Sequence, residues 1–167
     1  IKNLVLKILI FYVILSILYF FLLNISGVRL FNSLNLTMTL VSNGGFLPSD
    51  SLNEIIFTNF QKIIFIICLF FSMLNFFFLF NIFNRKVLIR SHKEDLYLIA
   101  IAGIFILFIY FNKFDFLNTI LSIISCLSNS GLSLLETNYN LSLYFLFLTI
   151  IGGSLISNSS GIKLSRF

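Results

Sequence analysis

Residues 30–46, LFNSLNLTMTLVSNGGF, decide how this chain folds, because they suit neither a full membrane span nor a solvated loop. The helix predicted at Leu30–Val41 would be about 18 Å long at 1.5 Å per residue, roughly half of a bilayer. It is too polar for a complete span and too apolar for an extracellular loop. The stretch therefore predicts a re-entrant helix that enters the membrane and turns back at the glycines.

A second segment of the same kind lies at residues 116–132, FLNTILSIISCLSNSGL. Its predicted helix, Phe116–Leu127, has the same length as the first. A shift of the chain by 86 residues aligns three polar landmarks: SNGGF 42–46 with SNSGL 128–132, Asn32 with Asn118, and Asp50 with Glu136. A fixed period with matching polar residues predicts a duplicated unit of span, half-helix, turn and span, with one unit at 1–86 and one at 87–167.

The composition around these segments is that of a membrane protein. Hydrophobic residues make up 59% of the chain and charged residues 10%, and a soluble domain of this size could not hide so much apolar surface. Four apolar runs are candidate spanning helices: Leu4–Leu23, Ile55–Phe83, Leu96–Phe111 and a run that opens at Leu141. We therefore predict an all-α polytopic membrane protein made of tandem M1–pore loop–M2 repeats.

The distribution of charge predicts the orientation. The net charge of +5 sits at the ends of apolar runs and forms no continuous basic face, which argues against nucleic-acid binding. The positive-inside bias makes one side cytoplasmic, including the charged loop 84–95; its cations are Lys2, Lys7, Arg85, Lys86, Arg90, Lys93, Lys163 and Arg166. The acidic residues beside the two turns then lie outside: Asp50, Glu54, Asp115 and Glu136. Both half-helices would point their negative C-terminal ends at the membrane centre, which suits a cation.

The two turns carry the chemistry of a candidate ion filter. A cation that crosses lipid must exchange its water shell for fixed oxygens, and rings of backbone carbonyls supply them. Gly45 and Gly131 permit the backbone conformations that expose carbonyls in line. An ordinary extracellular turn is the alternative for either site alone, but two matched sites favour the filter, whose candidate residues are Ser42, Asn43, Gly44, Gly45, Ser128, Asn129, Ser130 and Gly131.

Other candidate residues have plainer interpretations. Cys68 and Cys126 stand alone and are expected to be packed apolar side chains rather than metal or redox ligands. The only histidine, His92, lies in the cytoplasmic loop, too far from any serine at membrane depth to act as its base, so no enzyme is predicted. Lys62, about 12 Å into the second span, is either an intramembrane cation or, on the favoured interpretation, a side chain that reaches outward near Glu54.

Four motifs along the chain match one known family. They are LNLTMTLVSNGGFLPSDSL at 34–52, MLNF at 73–76, ILSIISCLSNSGLS at 120–133 and IIGGSLISNSSGIKLSRF at 150–167. In that order they resemble the second pore loop, the helix after it, the third pore loop and the pattern IGG-x-x-G-S-T-x-G-G-I-K-x-x-R of the Trk/Ktr/HKT potassium transporters. The last motif matches without a gap at Gly152, Gly153, Ser157, Gly161, Ile162, Lys163 and Arg166.

The resemblance implies a fragment holding the second and third of four repeats around one pore for potassium or sodium. It implies a gating loop below the filter at Gly152, Gly153, Ser157, Asn158, Ser159, Ser160 and Gly161, with Lys163 and Arg166 at its cytoplasmic end. It also implies a homodimer of the full-length protein in the lipid of the cell (inner) membrane, and a cytoplasmic nucleotide-binding regulatory subunit of the TrkA/KtrA type. No resident cofactor is expected, K⁺ being the transported ion.

Some positions depart from the family pattern. Ile156, Ser159 and Ser160 replace loop glycines, which should stiffen the loop, and Leu132 replaces the phenylalanine after the filter glycine. Because irregular polar backbone at membrane depth must be buried or line water, the loop suits a gate; the alternative is that the fourth span ends at Gly153 and a cytoplasmic loop follows. A non-conducting membrane subunit, or a degenerate fragment of such a transporter, remains the alternative function.

Overall fold

The computed structural model describes residues 2–74, 93–110, 115–134 and 139–151, and over these ranges the chain is helical without strands. Within these ranges lie six α-helices and one short 3₁₀ turn at Leu52–Glu54. The helices are α1 (Lys2–Ile25), α2 (Leu30–Ser42), α3 (Asn59–Met73), α4 (Lys93–Tyr110), α5 (Phe116–Ser128) and α6 (Tyr139–Ile150). The predicted all-α fold class is confirmed.

Helix α1 is the predicted first span. Its window Ile8–Ile25 is the single stretch, among the described residues, that is both long and apolar enough to cross a membrane. Most of its apolar surface is exposed, as expected for a helix in contact with lipid, with Val13, Ile17 and Phe21 each about half exposed. The opposite face carries Tyr19 and Leu23 into the core.

Helix α3 corrects the predicted second span, Ile55–Phe83. Ile55 and Ile56 are buried in the connection before the helix, which begins at Asn59 behind a capping box formed by Thr58 and Gln61. At its other end the helix stops at Met73, because Leu74 is extended (φ −73°, ψ 161°). Residues 75–83 of the predicted span lie outside the described residues. The predicted starts of the third and fourth spans also shift, from Leu96 to Lys93 for α4 and from Leu141 to Tyr139 for α6.

Helices α2 and α5 confirm the two predicted short helices. Each has 13 residues, about 20 Å at 1.5 Å per residue, and the shift of 86 residues carries one onto the other from first residue to last. Asn32 and Asn118 accordingly occupy the same place, the third position of their helices. The depth of these helices in a bilayer and the unit boundaries at 86 and 87 stay predictions.

Helix α3 packs between the two short helices α2 and α5. Helix α2 packs against α1 and α3, whereas α5 packs against α3, α4 and α6. Fully buried apolar residues fill the space between them: Leu36, Leu40, Phe65, Leu69, Met73, Leu121 and Leu127. Cys68 belongs to this core and Cys126 packs against it, both as free thiols, so the prediction of packed cysteines is confirmed. Helix α3 therefore packs against both short helices.

Lys62 connects the start of α3 to the start of α5. Because α3 begins at Asn59 rather than near Ile55, Lys62 lies in the first turn of the helix and not about 12 Å inside a span. Its Nζ donates a 2.9 Å hydrogen bond to Oδ1 of Asn118, and Nδ2 of Asn118 donates to Oδ2 of Asp115 at 3.4 Å. The predicted approach toward Glu54 is replaced by a link to the N-terminal end of α5.

Candidate functional site

Both short helices end in the same way. Asn43 (φ 51°, ψ 33°) follows α2 and Asn129 (φ 60°, ψ 24°) follows α5, each in the left-handed conformation. The next residue then donates its N–H to a carbonyl five residues back: Gly44 to Thr39 at 3.2 Å, and Ser130 to Ser125 at 3.0 Å. This is the bonding of a Schellman motif, with asparagine where glycine is more common.

A glycine with positive φ follows two residues after each left-handed asparagine. Gly45 has φ 69° and Gly131 has φ 68°, and Asn43 and Asn129 are the only other residues past position 27 with positive φ in the described chain. An L-residue with a Cβ is strained in this region, which explains the glycine at both places. The backbone of the turn is therefore duplicated residue by residue, in agreement with the repeat in the sequence.

The two turns lie against each other. A Cβ built on Gly45 would overlap the main-chain carbonyl oxygen of Ser130, so the backbone of the first turn touches the backbone of the second. At the equivalent place on Gly131, a Cβ would meet nothing within 4 Å in the described part of the chain. Two segments predicted to share one site are thus brought together across a sequence separation of 85 residues.

Threonine and serine side chains of α2 hold the first turn. Thr39 Oγ1 donates to the carbonyl of Phe46 on the far side of the turn. Ser42 Oγ donates to the carbonyl of Met38 at 2.7 Å and accepts from the N–H of Gly44 at 3.2 Å. Thr39 is buried and Ser42 is exposed. On its buried side, the first turn is therefore held chiefly by the hydroxyl of Thr39.

Three serines hold the second turn. Ser125, Ser128 and Ser130 are all buried, and their hydroxyls form a cluster: Ser125 Oγ lies 3.1 Å from Ser130 Oγ, and Ser128 Oγ donates to Ser130 Oγ at 3.0 Å. Sequence reasoning proposed Ser128 and Ser130 but missed Thr39 and Ser125. A signal was present, since these two residues are 86 apart and each stands three residues before the serine of SN.

The two left-handed asparagines differ in burial, since Asn43 is buried and Asn129 is half-buried. Ser72 Oγ of α3 lies 2.9 Å from Oδ1 of Asn43 and 2.7 Å from the carbonyl oxygen of Leu69 in its own helix, so its single proton is shared between these two acceptors. The hydroxyl thereby connects α3 to the first turn. The Nδ2 atoms of Asn43 and Asn129 have no hydrogen-bond partner among the described residues. Buried amide donors normally find an acceptor. Each turn thus has one asparagine NH₂ group that lacks an acceptor among the described residues.

The electrostatics of the site come from the backbone. The C-terminal ends of α2 and α5 both arrive at the turns, and each helix end carries about half a negative charge from its aligned peptide dipoles. Among the described residues, no group of three His, Cys, Asp or Glu side chains could hold a metal ion.

The predicted gating loop, Gly152 to Gly161, and the basic residues Lys163 and Arg166 lie outside the described residues. The part of the chain that leads to the loop is described: α6 has 12 residues, about 18 Å of helix, and Ile151 after it is buried.

Two comparisons with known proteins bear on this arrangement. In each half of the chain a longer helix is followed by a 13-residue helix that ends in a left-handed turn. The potassium transporter TrkH from Vibrio parahaemolyticus superposes on 99% of this chain with a TM-score of 0.86 and 18% sequence identity. The chain therefore has the fold of a Trk-type potassium transporter, and the resemblance predicted from its motifs is confirmed at the level of the fold.

A relative by sequence belongs to the same broad class. An uncharacterized cation transporter of Methanocaldococcus jannaschii is 29% identical over 164 residues. The alignment covers 93% of this chain and 33% of the relative, and the TrkH match covers 39% of TrkH. No model of a known protein family matches the chain. The chain thus spans about a third of the length of the transporter that it matches by sequence.

Proposed function

We propose that this chain forms part of the pathway by which potassium or sodium crosses a cell membrane. The observation that carries the proposal is the contact between Gly45 and the carbonyl of Ser130, because it brings two equivalent turns to one place. The fold of TrkH and the similarity to a cation transporter support this function.

The proposed mechanism is replacement of water by backbone oxygen. A dehydrated cation would be held between the carbonyls of residues 42–45 and 128–131, as in filters lined by carbonyl dipoles. The ends of α2 and α5 add their negative dipole ends at the same place. Entry is driven by the membrane potential, which is worth about 2.3 kcal/mol per charge at 100 mV.

Two turns enclose only part of an ion, so further units are needed around the pathway. Helix α2 carries an exposed apolar stripe at Leu30, Leu34 and Met38, spaced four residues apart on one face, with exposed fractions of 63%, 49% and 60%. We propose that another unit of the full-length protein, or lipid, covers this stripe. We further propose that the full-length protein lies in the cell (inner) membrane with the two turns facing outside. It would form a homodimer and bind a cytoplasmic nucleotide-binding regulatory subunit.

The loop at Gly152–Gly161 is proposed as the gate below the filter. Its proposed role is supported by the motif match and by the short helix α6 that leads to it. Ile156, Ser159 and Ser160 in place of glycine give this loop less backbone freedom than the family pattern allows. Shortening the loop should raise leak of ions through the full-length protein, and unchanged flux would count against the role.

The test is uptake of rubidium by a potassium-uptake-deficient host that expresses the full-length protein. Gly45→Val and Gly131→Val place a branched side chain at positive φ in the two turns, and each should abolish uptake while the protein remains in the membrane. Gly103→Val is the matched control, because Gly103 lies within α4 and a Cβ there meets nothing within 4 Å in the described chain.

The outcomes separate the candidate functions. Uptake that is lost in both turn variants and retained in Gly103→Val supports the filter. Normal uptake by both turn variants would rule out the assignment of the two turns as an ion filter. Absence of uptake by the unaltered protein, at normal membrane levels, would favour the non-conducting subunit or degenerate transporter.

A further inference from the structure

We propose that the buried serine cluster Ser125–Ser128–Ser130 determines ion selectivity by fixing the carbonyl of Ser130. This inference rests on the proposed function and deepens it, because it names positioning residues behind the filter. None of the three hydroxyls needs to touch the ion. Their role is to set where one carbonyl of the second turn stands relative to the first turn.

Ser130 is attached to Ser125 at two atoms. The N–H of Ser130 donates to the carbonyl of Ser125 at 3.0 Å, and Oγ of Ser130 donates to the same carbonyl at 3.3 Å. These bonds fix both the backbone φ and the side-chain rotamer of Ser130. Both bonds end on the main-chain carbonyl of Ser125, and they hold the N–H and the side chain of Ser130 against the last turn of α5. The hydroxyl of Ser125 adds a third link, at Oγ of Ser130.

The cluster also satisfies its own donors. One consistent arrangement has Ser125 Oγ–H and Ser128 Oγ–H donating to Ser130 Oγ, while Ser130 Oγ–H donates to the carbonyl of Ser125. Every hydroxyl proton is used, and the relative exposure of the three residues is between 0% and 5%. Buried hydrogen-bond networks that are fully satisfied rigidify their surroundings, and removal of one member leaves others unpaired.

The first turn has no such cluster. Gly44 stands where Ser130 stands in the second turn, so the first turn lacks the hydroxyl at the centre of the network. Thr39, the equivalent of Ser125, donates across the turn to the carbonyl of Phe46 instead. The two turns thus share a backbone path but differ in their side-chain hydrogen bonds. The second turn is the one held by the buried serine cluster.

The rigid carbonyl is the one that meets the other turn. The oxygen of Ser130 lies against Gly45, where no Cβ could fit. In the size-based account of filter selectivity, a smaller ion needs oxygens that move inward, so a carbonyl held in place favours the larger ion and a freed carbonyl can follow either. The cluster therefore sets the spacing at the contact between the turns and discriminates potassium from sodium there.

The experiment measures the ratio of rubidium to sodium uptake in the full-length protein. Ser125→Ala should lower that ratio roughly five-fold while rubidium uptake persists, the effect of one hydrogen bond on a binding ratio. Ser125→Thr keeps the hydroxyl, as Thr39 does in the first turn, and should restore the ratio. Ser122→Ala is the control, because Ser122 is equally buried on α5 but donates only to the carbonyl of Asn118, within the helix.

An unchanged ratio in Ser125→Ala would overturn the inference while leaving the proposed function intact. A fall in the ratio that Ser125→Thr does not restore, or that Ser122→Ala reproduces, would also overturn it. If Ser125→Ala does not reach the membrane, Ser125→Cys keeps the volume with a weaker donor, and an unchanged ratio in that variant counts equally against the cluster. Absence of uptake of either ion by the unaltered protein would instead contradict the proposed function.

Discussion

Gly45 and Ser130, 85 residues apart in the sequence, meet backbone to backbone where the turns of the two repeated units adjoin. The contact leaves no room for a side chain on Gly45, because the carbonyl oxygen of Ser130 lies directly against the backbone of the first turn. It joins the turns that follow the two 13-residue helices.

The two turn glycines should differ in their tolerance of alanine. Both have positive φ, so each substitution introduces backbone strain of about 1–2 kcal/mol. Only at Gly45 would the new Cβ also meet a carbonyl, and overpacking of that kind costs about 1–3 kcal/mol more. The free energy of unfolding, measured by SDS titration of the purified protein in mixed micelles, should therefore fall further for Gly45→Ala than for Gly131→Ala. Equal losses would show that the contact with Ser130 is not tight.

The left-handed cap of α5 predicts an order of stability for substitutions of Asn129. Glycine adopts φ 60° without strain, whereas alanine does not, so Asn129→Ala should be about 1 kcal/mol less stable than Asn129→Gly. The same unfolding titration provides the comparison. An alanine variant as stable as the glycine variant would mean that residue 129 is not left-handed in the folded protein.

The bond between Ser72 and Asn43 should appear as a coupling energy. Ser72→Ala removes the donor to Oδ1 of Asn43, and a double-mutant cycle of Ser72→Ala with Asn43→Gly should give about 1 kcal/mol of interaction. Ser16→Ala serves as the control, since the hydroxyl of Ser16 donates only to the carbonyl of Tyr12 in its own helix. Additive effects at residues 43 and 72 would exclude the link between α3 and the first turn.

The capping box that begins α3 gives a prediction at some distance from the turns. Thr58 Oγ1 accepts from the N–H of Gln61, and Oε1 of Gln61 accepts from the N–H groups of Phe57 and Thr58. Thr58→Ala should lower the free energy of unfolding by about 1 kcal/mol. A variant as stable as the unaltered protein would mean that α3 does not begin at this cap.

Gln61 also connects the cap to the end of α1. Its Nε2 donates to the carbonyl of Ser26 at 3.3 Å. Gln61→Glu keeps an acceptor for the cap but loses this donor, whereas Gln61→Ala loses both. The alanine variant should therefore be the less stable of the two by the same titration, and the reverse order would contradict the cap.

The local features of the fold could be read from the sequence because each has a local cause. The half-length of α2 and α5 follows from polar residues placed too often for a full span, and the turns follow from SNGG and SNSG. The duplication at 86 residues made each prediction support the other. The structure changed the end of each short helix by a single residue, from Val41 to Ser42 and from Leu127 to Ser128.

The start of α3 was missed although its signal was present. Thr58 and Gln61 form the pattern T-x-x-Q that marks a capping box, but the apolar residues Ile55, Ile56 and Phe57 extend the hydrophobic run beyond the helix. In the structure Ile55 and Ile56 are buried in the connection before the helix. Their apolar side chains therefore indicated a buried position, not a helical one. The stop at Met73 has the same explanation, because the run remains apolar on both sides of it.

The contacts between the units could not be predicted from the sequence. Gly45 with Ser130, Ser72 with Asn43, and Lys62 with Asn118 each join residues that are far apart along the chain. They depend on how α3 packs between α2 and α5, and neither hydropathy nor turn chemistry specifies that packing. The role of Ser125 depends on it in the same way.

The most direct test of the account is the position of a bound ion. Crystals of the full-length protein grown in rubidium should show an anomalous-scattering peak beside the contact of Gly45 with Ser130, within coordinating distance of carbonyl oxygens from both 42–45 and 128–131. A rubidium peak elsewhere along the pathway, with none at these two turns, would contradict the claim that they form a filter.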